Sequence, residues 1–191
     1  MIPIVGLCGV ARSGKDTFFK YAQTYLKERY NKNAVRFAFA DALKADVNDF
    51  LTKKVGISAF TQNFQEKELI RPVLVAYGSM MRQRTAGAYW VDIAKKELEK
   101  NLLFERVSFI TDVRYENEYE MIKEKGGICV HLKRIDENGG LVKYANEEEE
   151  RNDPVVESRS EVNINWGTYG DKAELYLAHI VSFIDSYFNE N

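Results

Sequence analysis

The apolar run Ile4-Val5-Gly6-Leu7-Cys8 leads directly into Gly9-Val10-Ala11-Arg12-Ser13-Gly14-Lys15-Asp16-Thr17, and this junction constrains the fold more than any other part of the chain. It reads as a buried strand, a glycine-containing turn and a helix start. Gly9 and Gly14 leave no side chain where the backbone must wrap closely round an anion. The N–H groups of the loop and the positive end of the following helix then face that anion together. Lys15 adds a mobile point charge for the outer phosphates. Such loops commonly end Gly-Lys-Ser/Thr; here Asp16 follows the lysine and the hydroxyl comes at Thr17. An acid at that place puts a hard oxygen ligand near a metal site. A turn that merely caps a helix is the plainer alternative, but strand, loop spacing, Lys15 and helix are all in place. The segment predicts a phosphate-binding loop for a nucleoside triphosphate.

A chain of 191 residues is expected to form one domain with a sizeable core. Its net charge of -2 gives no global attraction to nucleic acid or an anionic membrane, so local cations must do any phosphate binding. The start, Met1-Ile2-Pro3-Ile4-Val5, lacks the features of a signal peptide, and no run approaches the ~20 apolar residues of a membrane span. Cys8 and Cys129 both sit in apolar runs, as buried reduced thiols would. These features predict a cytoplasmic protein with no nucleic-acid or membrane partner.

Apolar runs alternate with helical patterns. Ile2–Cys8, Val35–Ala40, Val107–Thr111, Ile128–Leu132 and Val162–Asn165 read as buried parallel strands. Helical stripes are formed by Phe19, Ala22, Leu26 and Tyr30; by Val91, Ala94, Leu98 and Leu102; and by Tyr115, Tyr119 and Ile122, stopped at Gly126-Gly127. A last helix carries Leu177, Val181, Ile184 and Phe188, with Asp171 and Glu174 spaced as a capping pair. The alternation predicts an α/β fold, a doubly wound three-layer sandwich with ligands at the carboxyl ends of about five parallel strands. Two segments break the rhythm. Leu43 to about Arg84 is mostly helical in pattern, punctuated by Gly56 and Pro72. Arg134 to about Arg159 is polar and turn-rich, with Asn152-Asp153-Pro154 as a turn and Glu147 to Glu150 as a solvated acidic surface. A long excursion between core strands is also where a mobile lid would sit.

Asp112 follows the third apolar run and so should emerge at the sheet edge beside the loop, placed to hold magnesium directly or through water. Arg114, two residues on, can clamp a phosphoryl group bidentately. The plainer alternative is a helix-capping acid and a surface cation. Arg71, Gly78 and Arg82, with Tyr89 and Trp90 downstream, suit a flat substrate bearing a phosphate: guanidinium for the phosphate, ring for the base. An amphipathic helix with solvent-facing arginines is the competing account. Lys44, after Phe39-Ala40-Asp41, should point to the same crevice, with Asp41 as helix cap or substrate ligand. His131 reads as a core histidine, and His179 has no partner in sequence. No nucleophile–base pair is visible, and phosphoryl transfer needs none.

Five blocks in order resemble the bacteriophage deoxynucleoside monophosphate kinases: Gly9–Thr17 with its Gly-Lys-Asp-Thr ending, Phe39–Lys44, Arg71…Gly78…Arg82…Trp90, Thr111-Asp112-Val113-Arg114 with Glu118, and Ser160-Glu161. The same signature is similar to that of the animal-type phosphomevalonate kinases. The resemblance implies a single P-loop kinase domain resembling nucleoside monophosphate kinases, with a helical acceptor-binding insertion at about 43–90 and a lid at about 134–159. It implies ATP and Mg2+ as cofactors and transfer of the γ-phosphate of ATP to a (deoxy)nucleoside monophosphate. Lys15 and the loop would bind ATP; Asp16, Thr17 and Asp112 would hold magnesium or its waters. Arg71, Arg82 and Arg114 would meet acceptor and transferred phosphates, in a substrate site with Lys44, Gly78, Trp90, Glu118 and Glu161. Arg134, Lys143, Arg151 and Arg159 are the lid cations, with Arg134 and Arg151 assigned to ATP. A homodimer in the host cytoplasm is also implied.

Ser79 and Met81 stand where the phage kinases often carry a threonine–acid pair, and Glu157-Ser158 where a histidine is common. The acceptor is therefore open between a nucleoside monophosphate and another small phosphorylated molecule such as phosphomevalonate. A non-catalytic nucleotide-binding module is the alternative outside enzymes.

Overall fold

The structure, a computed structural model, describes residues 4–136, 138–167 and 173–188. Among them, five strands form one parallel sheet: β1 Ile4–Cys8, β2 Ala34–Phe37, β3 Val107–Ile110, β4 Ile128–Ile135 and β5 Val162–Gly167, in the order β2-β3-β1-β4-β5. The helices are α1 Lys15–Tyr30, α2 Phe39–Val55, α3 Phe64–Thr85, α4 Ala88–Leu103, α5 Glu116–Glu124, α6 Glu147–Arg159 and α7 Ala173–Phe188. The chain divides into a sheet unit, Met1–Phe37 with Glu97–Asn191, and a helical unit, Ala38–Lys96. No described helix is long and apolar enough to cross a membrane.

In the sheet unit every residue of β1 and β3 is buried, as strands covered on both faces must be. Side chains alternate between those faces. Val5 and Leu7 pack with Phe18, Ala22 and Leu26 of α1 and Ile180, Phe183 and Ile184 of α7. Gly6 lies the other way, where an added Cβ would meet the Ile122 side chain of α5 at 2.6 Å. The result is a three-layer α/β/α sandwich. β1 lies between β3 and β4, paired in parallel with both, and in open parallel sheets the carboxyl ends at such a switch in strand order are where ligands bind.

The expected strands are all present and parallel; the second and third end early, the fourth and fifth run on to Ile135 and Gly167, and Ile2 and Pro3 of the first lie outside the described residues. The second was expected to reach Ala40 but ends at Phe37, paired to Ile110, and Phe39 already begins α2. In the stripes, Phe18 takes the fully buried place expected of Phe19, which is half-buried against Phe109. The stripe of α4 stops at Leu98, because Leu102 is exposed. Asp171 of the proposed capping pair lies outside the described residues.

Glu161 was expected at the substrate, but it immediately precedes β5, at the amino end of the strand and away from the crevice. Its Oε2 accepts the Cys129 N–H at 2.7 Å, and its Oε1 meets Lys123 Nζ at 2.6 Å and the Tyr119 hydroxyl at 3.1 Å. The carboxylate ties β4 to α5.

In the helical unit Val47, Leu51, Ala59 and Ile70 form the core. Asn63 caps α3 by accepting from Gln65 N at 2.9 Å. Pro72, read as punctuation, lies inside α3 without ending it. Its missing N–H orphans the carbonyl of Glu68, which is exposed and open to water. Gly78 was assigned to substrate, yet a Cβ there would meet Leu43 Cδ1 at 2.6 Å, so the missing side chain serves the approach of α3 to α2. Asp46 Oδ2 accepts from both Tyr77 (3.0 Å) and Tyr89 (2.7 Å), joining three helices at one oxygen.

Burial raises the Glu161 pKa, but the Cys129 N–H and Lys123 outweigh it and hold the group below its ordinary 4.5. A depressed folded pKa contributes stability above the unfolded value that is lost as pH falls through the folded one. Glu161→Gln should therefore lower Tm at pH 7, and the gap to the parent should close as pH drops below 4.5. A gap constant from pH 7 to pH 3 would refute the ion-pair role.

Candidate active site

The loop between β1 and α1 is built on left-handed backbone. Gly9 has φ +118° and Gly14, the N-cap of α1, φ +98°, while Arg12 reaches φ 63°. A Cβ at Gly9 would overlap the Leu132 carbonyl, and one at Gly14 the Trp166 indole. Lys15 folds back over the turn, with Nζ donating to Gly9 O and Val10 O, both at 2.7 Å, and to Ser13 Oγ at 3.2 Å. Burial and then the Arg114 charge lower the Lys15 pKa from its ordinary value; Glu149 and Asp112 act in the opposite sense.

Those four groups surround the loop at the carboxyl edge of the sheet. Asp112 and Arg114 follow β3, and Val113 N donates to Leu7 O at 3.2 Å, which fixes this turn to β1. Glu118, expected at the substrate, is buried, and its Oε2 accepts from Arg114 N (2.9 Å) and Tyr115 N (3.2 Å). It orients the turn that carries Arg114 rather than facing a ligand. Arg134, in β4, donates to the Arg12 carbonyl, so this lid cation touches the loop. Arg151 is exposed on α6. Arg159 is occupied by Glu116 and Glu120 of α5, far along the same helix. Lys143 lines a cavity of about 490 Å³ with Val10, His131 and Tyr144.

The segment from 134 to 159 is less irregular than expected, because α6 fills its second half. Asn146 caps the helix by accepting from Glu149 N at 2.9 Å, and Asn152, Asp153 and Pro154 are helical. The acidic run is the first turn of α6 and is not uniformly solvated. Glu149 is buried, with Oε1 accepting the Ala11 N–H of the loop at 3.0 Å and lying 3.6 Å from Arg114 Nη1. This contact is not legible in the acidic run itself, although Asn146 with Glu149 three residues on is a capping-box spacing that marks the helix start. His131 is a core histidine with a partner, its Nε2 lying 2.9 Å from Asp153 Oδ1. Cys8 and Cys129 are buried free thiols; burial first, then Cys129, pushes Cys8 up.

The donors of the loop suit a phosphate chemically, since a carboxylate oxygen already sits on one of its N–H groups. For a magnesium ion the acids are present but not gathered. Asp16 is 82% exposed and meets Arg36 Nε at 3.3 Å, a surface pair that costs little to break. The Thr111 hydroxyl beside Asp112 is buried without a hydrogen-bond partner among the described residues, the kind of atom a ligand or bound water satisfies.

In the helical unit, Trp90 is buried and edge-on to Tyr77 and Tyr89, so no base can stack on it, contrary to expectation. Lys44 pairs with Asp41 at 3.4 Å, and Asp41 lies in the first turn of α2. Arg71 is exposed and paired with Glu68 at 2.7 Å, and Arg82 is half-buried in the last turn of α3.

No protein-family model and no curated protein matches the sequence. Among solved structures, shikimate kinase from Acinetobacter baumannii in complex with shikimate aligns with TM-score 0.50 and 14% identity, over 100% of this chain and 96% of that one. Dephospho-CoA kinase from Campylobacter jejuni aligns with TM-score 0.51 and 10% identity, over 97% of each chain. At such identities the likeness is one of fold: the chain has the three-layer α/β/α P-loop architecture that these two kinases share.

Proposed function

We propose that this chain is an ATP- and Mg2+-dependent phosphotransferase whose acceptor is a (deoxy)nucleoside monophosphate. The observation that carries the proposal is the anion-binding loop Gly9–Thr17, already holding a carboxylate on the Ala11 N–H, with Lys15, Asp112 and Arg114 around it. Preorganised charge of this kind is most of what phosphoryl transfer requires. The two solved structures of similar fold are both named as kinases of small molecules. In this scheme Lys15 and the loop amides hold the β- and γ-phosphates, with Arg134 and Arg151 closing from the lid at 134–159. Asp112, Thr17 and a reoriented Asp16 hold Mg2+ or its waters, and Mg2+ supplies charge neutralisation on the phosphates. Arg114 faces the phosphoryl group in transfer, oriented by Glu118. The helical unit provides the acceptor site through Lys44, Arg71 and Arg82.

A phosphorylated acceptor without a base, such as phosphomevalonate, is favoured by one observation: the burial of Trp90 removes the stacking platform that a base would use. ADP release measured across the nucleoside monophosphates and phosphomevalonate separates the two. Turnover with a nucleoside monophosphate is expected. Turnover with phosphomevalonate alone would reassign the acceptor, and none with any would leave a nucleotide-binding module.

Lys15→Ala should keep the fold and lower turnover by at least ~10²-fold, as loss of one preorganised donor typically does. Unchanged turnover by the folded variant would remove Lys15 from the chemistry. On the acceptor side, Arg71→Lys or Arg82→Lys keeps the charge but loses the planar fork. The acceptor KM should rise about 10-fold while that for ATP barely moves, since one charged hydrogen bond contributes ~1.5–3 kcal/mol. Arg114→Lys should instead depress kcat. Equal loss of ATP and acceptor binding in all three would refute the division of roles.

A further inference from the structure

We propose that Glu149 is a built-in occupant of the phosphate cradle, an intramolecular anion that latches the first turn of α6 over the loop and must leave before a triphosphate enters. This rests on the phosphate-binding role of the loop. The Glu149 carboxylate is divided between two tasks. Oε1 takes the Ala11 N–H at 3.0 Å with Arg114 Nη1 at 3.6 Å, while Oε2 takes the Ala145 N–H at 3.0 Å, at the start of its own helix. A carboxylate oxygen and a phosphate oxygen compete for the same donors, so both cannot hold the Ala11 N–H and Arg114 together.

Space leads to the same conclusion. The cavity enclosed by Gly9, Val113, Arg114, Glu149 and Val156 holds about 10 Å³, room for one water at most and none for a phosphoryl group. Charge adds to it, because Glu147 to Glu150 form one acidic turn, with Glu148 bonded to the Tyr115 hydroxyl beside Arg114. On this side of the loop, at the Ala11 N–H and Arg114, a phosphoryl group can enter only if this turn withdraws.

The rest of α6 is anchored elsewhere. Asp153 meets His131 at 2.9 Å, Glu157 pairs with Lys133, and Arg159 with Glu116 and Glu120. Between Glu149 and the Glu157 and Arg159 anchors, directly after Asp153, lies Pro154, which lacks the N–H that would bond the Glu150 carbonyl. The helix ladder is therefore interrupted where the first turn would have to bend away from the fixed half.

The test is the affinity of the full chain for the β,γ-imido analogue of ATP, measured by calorimetry, with amide hydrogen exchange of the unsubstituted protein. If the latched state dominates, Glu149→Gln should tighten binding about 5-fold or more, because apparent affinity scales with the competent fraction. Glu147→Gln removes the same charge from the same turn without touching the loop and should change affinity less than about 2-fold. Exchange over 147–152 should speed up when the analogue binds. Unchanged or weaker binding by folded Glu149→Gln overturns the latch and makes Glu149 a support of the loop. If that variant does not fold, exchange decides alone: unchanged or slower exchange on binding overturns the latch. Failure of both the unsubstituted protein and folded Glu149→Gln to bind the analogue would overturn the phosphate role of the loop, and the latch with it.

Discussion

The left-handed backbone of Gly9, Arg12 and Gly14 is the constraint on which the rest of the sheet unit depends. It lets the chain reverse between a fully buried strand and a helix while its amides face one point. That turn also locks the neighbours, since Gly9 lies against the Leu132 carbonyl of β4 and Gly14 against the indole of Trp166 in β5. Trp166 in turn packs on Phe18 at 5.7 Å, tying the first turn of α1 to the edge strand β5. Glycine is thus required by the protein's own packing at both positions, before any ligand is considered.

Such a turn concentrates positive potential, and in the structure that potential is met from within. The Lys15 ammonium is neutralised by carbonyl dipoles of Gly9 and Val10, and the Ala11 amide by Glu149. Buried donors left without partners would cost more than this arrangement does. The same donors are the ones a phosphate would use, so self-satisfaction and ligand binding are alternatives by construction. Glu149 joins two separate stretches of chain in doing so, and the acidic turn it belongs to is stabilised at the amino end of its own helix dipole.

The sheet was legible because a buried parallel strand leaves a short apolar run, unbroken in β1 and β3 and interrupted by Arg36 in β2 and by Asn163 and Asn165 in β5. The loop was legible because its geometry demands particular residues at fixed spacing. The site residues fared unevenly, both those implied by the resemblance, Glu118 and Glu161, and Trp90, read from its ring, and for a physical reason. Glu118, Glu161 and Trp90 have the right functional groups for a substrate, but sequence does not say which way a side chain points. Glu118 and Glu161 instead accept backbone N–H groups, and Trp90 is core. Glu149 was hidden by its company, since four consecutive glutamates look like a solvated surface until a helix turns one of them inward.

The loop ending Gly-Lys-Asp-Thr has a consequence for metal binding that a hydroxyl ending would not. A serine or threonine after the lysine is neutral and short, whereas Asp16 brings a full charge on a side chain that solvent and Arg36 already stabilise. Its present pairing is 82% exposed on the Asp16 side and so contributes little to stability, which leaves the carboxylate able to rotate. Asp112, by contrast, is held at the strand end, with its charge felt at Lys15. One acid is therefore fixed by the fold and the other is carried on a first-turn side chain. A divalent cation brought in on phosphate oxygens would find Asp112 in place and would have to draw Asp16 from Arg36.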